Sequence, residues 1–389
     1  MEKLKQIKKS ELLLLIFIFL NPILDILNFY NIKLSIVLRS IYVLAILLYL
    51  LMNKYYIKYL IFLLLFSVVY FIHQKFYLNI PFMLSLSSVF KYLYLIFTIM
   101  FFKSYELSVD KRKVLTIAIF SYLLIFLLSY ITKIGADEYS LLDLKRGYKG
   151  VFNSPNEISA IIGMLMIYVT YYLFSIKKYF SLIILYILSI IFCFVVGTKV
   201  MLGMIVLSIL YIIYKSKDKL FSKKHKKRNL IILFISFVIF IILFIKSNVF
   251  YNLNVQRKFF NVEKIFSLEF INVVLFNKRF TFLSQNYHYF MKKNLFIKLF
   301  GLGFLDETVK LVEIDMFDIL FRYGIIGFIN YFVILFLILP YKKLNLEEKL
   351  TILMFFLISL TSGHVLIYPS VCIYAGVVIN KNKIDSKTK

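Results

Sequence analysis

Apolar runs of about twenty residues recur along the whole chain, and this feature limits the fold more than any other. An α-helix of that length crosses about 30 Å of hydrocarbon while satisfying its own backbone hydrogen bonds. A lipid-facing β-barrel would instead alternate apolar and polar residues, and these runs do not. The mean hydropathy of +0.85 and an apolar share of 61% over 389 residues exceed what a water-soluble domain can hide. The reading is therefore an all-α polytopic membrane protein, a single membrane domain over 1–389 with about twelve helices. The spans are placed at 11–29, 35–52, 57–73, 83–102, 114–133, 157–176, 180–197, 199–215, 229–246, 317–339, 349–364 and 365–380.

Charge orients these helices. A formal net charge of +27 would suggest nucleic acid in a soluble protein, but here the basic residues lie mainly in short loops between apolar runs. With the N-terminus in the cytoplasm, segments 1–10, 53–56, 103–113, 177–179, 216–228, 340–348 and the tail from Asn380 fall inside, and nearly all are basic. The strongest stretch runs from Lys215 to Arg228. Both termini are thus expected in the cytoplasm of a plasma-membrane protein, with no nucleic-acid partner. The basic Met1–Lys9 segment resembles a signal peptide but lacks a small-residue cleavage site, so an uncleaved first helix is expected. Cys193 and Cys372 lie inside apolar runs and read as small buried hydrophobes.

Two outer segments carry substantial polar content, 133–156 and 247–316. The longer one mixes apolar residues with Arg257, Lys258, Lys264, Lys278, Arg279, Lys292, Lys293 and Lys298, the pattern of amphipathic helices at a membrane surface. Ionisable residues inside spans are costly and mark candidate sites. Asp25, Arg39, Lys91, Lys199, Asp318 and Arg322 all fall in or near the outer halves of their helices. Asp25 and Arg39 suit a buried structural pair equally well, and Lys91 could snorkel outward.

The loop before the sixth span reads Arg146-Gly147-Tyr148-Lys149-Gly150-Val151-Phe152-Asn153-Ser154-Pro155-Asn156-Glu157. Its glycines permit close backbone approach, and Asn153 to Asn156 suit a helix start. Gly150-Val151-Phe152-Asn153-Ser154-Pro155-Asn156 resembles the G-x-F-x-N/S-P-N segment of the O-antigen ligase and polymerase family. Further features resemble that family in the same order: Gly197-Thr198-Lys199, Arg279, Gly301-Leu302-Gly303 and Gly324-Ile325-Ile326-Gly327. Asn21-Pro22 with Asp25, and Gly363-His364, resemble Gram-positive members concerned with surface polysaccharide. Ligases of the family carry His-Asn eleven residues before the first glycine of G-x-x-G, whereas this chain has Glu313 there. The acidic Glu313-x-Asp315-x-x-Asp318 stretch resembles polymerase-like relatives instead.

The resemblance implies transfer of a glycan from a polyprenyl-diphosphate-linked oligosaccharide to a sugar hydroxyl on the outer face. The expected surroundings are membrane lipids and other polysaccharide assembly proteins. Basic groups aimed at the departing diphosphate stabilise developing charge, and Arg146, Lys149, Lys199, Arg279 and Arg39 are the candidates, with Arg279 ranked first. Glu313, Asp315 or His364 would accept the hydroxyl proton, with a salt bridge to Arg279 or Arg322 as the structural alternative for the acids. Asn153, Pro155, Asn156, Gly324 and Gly327 are expected to shape the backbone. The scattered histidines, two isolated cysteines and the absence of a Walker loop predict a reaction without metal or cofactor. A lipid-linked oligosaccharide flippase or a non-catalytic scaffold are the rival classes.

Overall fold

The computed structural model describes residues 9–32, 34–137, 147–220, 278–303, 312–363 and 365–380, together with the isolated positions 268, 272 and 276. Helices dominate: α1 (Lys9–Phe29), α2 (Leu34–Met52), α3 (Ile57–Ile72), α4 (Phe82–Ser104), α5 (Lys111–Thr132), α6 (Pro155–Ser175), α7 (Tyr179–Val196) and α8 (Lys199–Leu220) form the first group. After it come α9 (Arg279–Met291), α10 (Leu295–Phe300), α11 (Asp315–Ile338), α12 (Leu346–Thr361) and α13 (Pro369–Ile379). Two short strands, β1 (Ala136–Asp137) and β2 (Tyr148–Gly150), pair antiparallel between α5 and α6.

Eight of the described helices are long and apolar enough to cross a membrane, against the twelve spans expected. The shortfall has local causes. The apolar part of α1, Leu14–Phe29, is itself short, and the expected span 229–246 lies outside the described residues. The final two spans shrink to α12, of 16 residues, and α13, of 11 residues. Between them, Gly363 has φ of 64° and Pro369 opens α13, so the apolar Val365, Leu366 and Ile367 lie outside either helix. This irregular backbone is bound from within the protein: Val365 and Leu366 donate N–H groups to Asp315, and the Leu366 carbonyl accepts from Tyr331 Oη at 2.9 Å. Satisfying polar backbone in this way is what lets non-helical chain lie at membrane depth.

The chain divides into two compact units, residues 1–114 with 276–389, and residues 115–275. In the first, α4 and α13 are the innermost helices. Nearly every residue of α13 is buried, as is α4 from Tyr92 to Phe102, the burial expected of helices apolar on all sides. Gly376 brings them together, since a Cβ there would lie 2.5 Å from Thr98 Cγ2. Small residues permit this approach where no water-driven force joins helices. The outward faces of α2 and α3 expose Leu48, Phe62 and Leu65, a surface suited to lipid.

Polar residues fasten this unit at two places. Arg39 of α2 pairs with Asp25 of α1, and Ser370 Oγ on α13 donates to the same Asp25 oxygen at 2.5 Å. Lys111 pairs with Glu348 at 2.5 Å and also donates to the Val378 carbonyl at 3.1 Å, tying α5, α12 and α13. Asn345 and Glu348 form the capping box that starts α12. Removing one member of a buried ion pair leaves an uncompensated charge worth about 3–5 kcal/mol. Arg39→Ala is therefore expected to lower the unfolding midpoint in detergent substantially, and Arg39→Lys to lower it less.

The second unit is built around α6, buried along most of its length between α7 and α8. Ser154 caps α6 by accepting from Asn156 N at 3.2 Å, with Pro155 at the first helical position. Both cysteines are buried and free.

Candidate active site

The site in the first unit starts with a backbone break. Gly324 interrupts α11 with φ of 72° and ψ of −178°, a conformation open essentially to glycine alone. The break takes the Phe321 and Arg322 carbonyls out of the helical ladder. Leu302 N donates to Phe321 O at 2.8 Å, Gly303 N to Arg322 O at 3.1 Å, and Tyr70 Oη to Arg322 O at 3.2 Å. Gly301 and Gly324 touch backbone to backbone: a Cβ on Gly301 would lie 2.2 Å from Arg322 O, and one on Gly324 2.5 Å from Gly301 N. The two glycine motifs of the sequence thus form one joint, with His73 Nε2 on Gly301 O at 2.9 Å. Gly327 packs the second half of α11 against Phe66 of α3.

At the start of α11 and just before it, three acidic side chains take different environments. Asp315 is 1% exposed and accepts from Val365 N and Leu366 N at 2.7 Å each. Asp318 accepts from Val312 N at 3.0 Å. Glu313, with φ of 60°, lies against Gly363, where any Cβ would lie 2.6 Å from the Glu313 backbone. Its side chain is the accessible one, 26% exposed.

Arg279, the first residue of α9, joins these loops. Its Nη1 donates to Thr361 O, its Nη2 to Glu313 Oε2 at 2.8 Å and to Ser362 O at 3.3 Å. The side chain is 7% exposed, and Nε is buried without a hydrogen-bond partner. A buried guanidinium beside a half-open carboxylate can hold an anionic oxygen and receive a proton within one small volume. The Thr361 and Ser362 carbonyls had no sequence signal beyond the neighbouring Gly363-His364.

A second set of candidates lies in the second unit. Gly147 packs on the end of α7, where its Cβ would meet Val196 O at 2.3 Å, and Tyr148 Oη donates to Ser129 O at 2.6 Å. Gly197 ends α7 with φ of 78°, and Thr198 shares a hydrogen bond with Ser159 of α6 at 2.8 Å. The loop before α6 and the Gly197-Thr198-Lys199 step therefore adjoin, which places Lys149 and Lys199 on neighbouring segments. Lys149 is exposed enough to reach Asn153 O at 3.4 Å. Asn153, Pro155 and Asn156 form the approach to α6 and its first turn. Arg39 is the diphosphate candidate found in an internal pair, with Asp25 and Ser370. Arg146 and His364 lie outside the described residues.

Membrane-length helices joined by glycine contacts, with charged side chains gathered on loop backbone at helix ends, define a polytopic membrane protein carrying a polar site. The chain belongs to the family described as O-antigen ligase like membrane protein, whose model matches residues 7–269 and 254–387. It is accordingly a membrane glycan-transferring enzyme. No curated protein and no solved structure matches it.

Proposed function

We propose that this enzyme is a polymerase-like glycosyltransferase that joins polyprenyl-diphosphate-linked oligosaccharide repeat units into a surface polysaccharide. The reaction takes place at the extracytoplasmic face of the plasma membrane. The observation that carries this reading is the Arg279–Glu313 pair, a 2.8 Å contact between a buried guanidinium and the most open acid of the cluster. Arg279 stabilises the departing diphosphate, whose negative charge grows in the transition state, and Glu313 takes the proton of the attacking hydroxyl. The hydroxyl oxygen attacks the anomeric carbon as the bond to diphosphate breaks, and the electron pair leaves with the diphosphate. Arg146, Lys149 and Lys199 are assigned to the same leaving group on the family resemblance, and His364 is the alternative proton acceptor. Asp315, which accepts the Val365 and Leu366 N–H groups, positions that stretch of backbone.

Glu313 at the position of the ligases' histidine supports polymerase over ligase. The test substitutes Arg146, Lys199, Arg279 and Glu313 singly by alanine, verifies membrane insertion, and analyses the lipid-linked glycans. The expected result is single repeat units accumulating on lipid, with long polymer reduced about 100-fold. Full-length glycan left on lipid would make the enzyme a ligase, and repeat units confined to the inner leaflet would make it a flippase. Normal polymer in all four variants would sink the assignment.

A further inference from the structure

The guanidinium of Arg279 is saturated on one side and half-filled on another. Nη1 and Nη2 reach the Thr361 and Ser362 carbonyls, so the head is fixed to the backbone rather than free to search. Nε and Nη2 form one edge of the guanidinium fork, the edge that receives two oxygens of one anion in parallel. Glu313 uses only the Nη2 half of it. The Nε half is buried and unpartnered. An unfilled buried donor on a charged group is costly, so an anion able to reach both nitrogens binds better there than one that reaches a single nitrogen.

Glu313 is suited to give way. It is the more exposed partner, 26% against 7%, and its backbone is held left-handed at φ of 60°, which costs about 1–2 kcal/mol for a residue with a Cβ. Its carboxylate is therefore held by one ion-pair contact on a strained backbone.

We propose that Glu313 and the donor diphosphate exchange on Arg279: two diphosphate oxygens take Nε and Nη2 together, and the displaced Glu313 carboxylate becomes the acceptor of the attacking hydroxyl's proton. This inference rests on the reading of Arg279 as the diphosphate ligand. It adds an order to the reaction, because the base is released only when the donor is seated. While paired, Glu313 has a carboxylate oxygen engaged by Nη2, so it is turned to the guanidinium and not to an incoming hydroxyl. Donor binding thus sets the base free at the moment a leaving group is in place, and water meets no free base before then.

The probe is farnesyl diphosphate titrated into the purified full-length protein in nanodiscs, with glycan transfer measured separately on native donor. Glu313→Gln keeps the side-chain volume and a hydrogen bond to Nη2 while removing the competing charge. It is expected to bind farnesyl diphosphate about tenfold more tightly than the natural protein while transfer falls about 100-fold. Unchanged or weaker probe binding by Glu313→Gln, with binding lost in Arg279→Lys, would overturn the exchange and leave the diphosphate site standing. Equal probe binding by Arg279→Lys, Arg279→Ala and the natural protein would overturn both. An unfolding midpoint measured for each variant separates lost binding from lost fold.

Discussion

Gly324→Ala is expected to remove the folded protein from the membrane, the largest single-residue effect in the chain. The alanine Cβ would lie 2.3 Å from Leu299 O and 2.5 Å from Gly301 N, and both obstacles are backbone atoms that cannot rotate aside. The φ of 72° with ψ of −178° adds strain that no other residue type relieves. Together these place the cost at about 4 kcal/mol or more, the range reserved for changes that break a specific structural device. Relaxing α11 to a continuous helix is no escape. It would return the Phe321 and Arg322 carbonyls to the ladder and strand the N–H groups of Leu302 and Gly303. Detergent extraction followed by size-exclusion chromatography measures the outcome, a monodisperse peak replaced by aggregate. Gly203→Ala is the internal control. Gly203 lies within α8 with open space around its Cβ position, so alanine should be neutral or stabilise by about 0.5–1 kcal/mol.

Asp315→Ala is expected to abolish glycan transfer and to lower the unfolding midpoint sharply. One carboxylate oxygen accepts both Val365 N and Leu366 N, and the side chain is nearly inaccessible. Alanine leaves two buried N–H groups without acceptors at about 1–3 kcal/mol each. The freed 362–368 segment also carries the Ser362 carbonyl that holds Arg279, so damage reaches the site through backbone rather than through a lost reacting group. Asp315→Asn retains a carbonyl acceptor and should recover much of the stability. Transfer that returns with the asparagine variant would assign Asp315 a positioning role; a stable asparagine variant with no transfer would assign it to the chemistry.

Much of this was readable from sequence because it depends on local pattern. Span length and glycine spacing located most helices, and Gly301, Gly303, Gly324 and Gly363 all marked positions where the backbone turns left-handed. Glu313 stood out by its spacing from Gly324. The short α12 and α13 were not readable. Val365 to Ile367 is apolar, so hydropathy resumes directly after Thr361-Ser362-Gly363-His364, and the non-helical course of Val365 and Leu366 is bound by Asp315, about fifty residues away in sequence. The Lys111–Glu348 pair was equally hidden, because two charges at loop edges look solvated until α13 covers them. Likewise, sequence gave Arg39 an outer position but could not choose between substrate and Asp25. The structure shows the Asp25 pair and adds Ser370 of α13 to it, a partner more than 300 residues away in sequence.

The brevity of α13 bears on how the protein is made. At 1.5 Å per residue its 11 residues reach about 17 Å, and the 16 of α12 about 24 Å, so neither crosses a bilayer of about 30 Å by itself. During synthesis such segments gain too little from lipid to enter alone. They would enter as a hairpin, and α13 finds its place only where α4 already offers Thr98 and Phe102 to Gly376. A chain whose earlier helices are misassembled offers α13 no such slot, and leaves Ser370 and Asn380 without the Asp25 carboxylate and the Phe102 carbonyl that they bind.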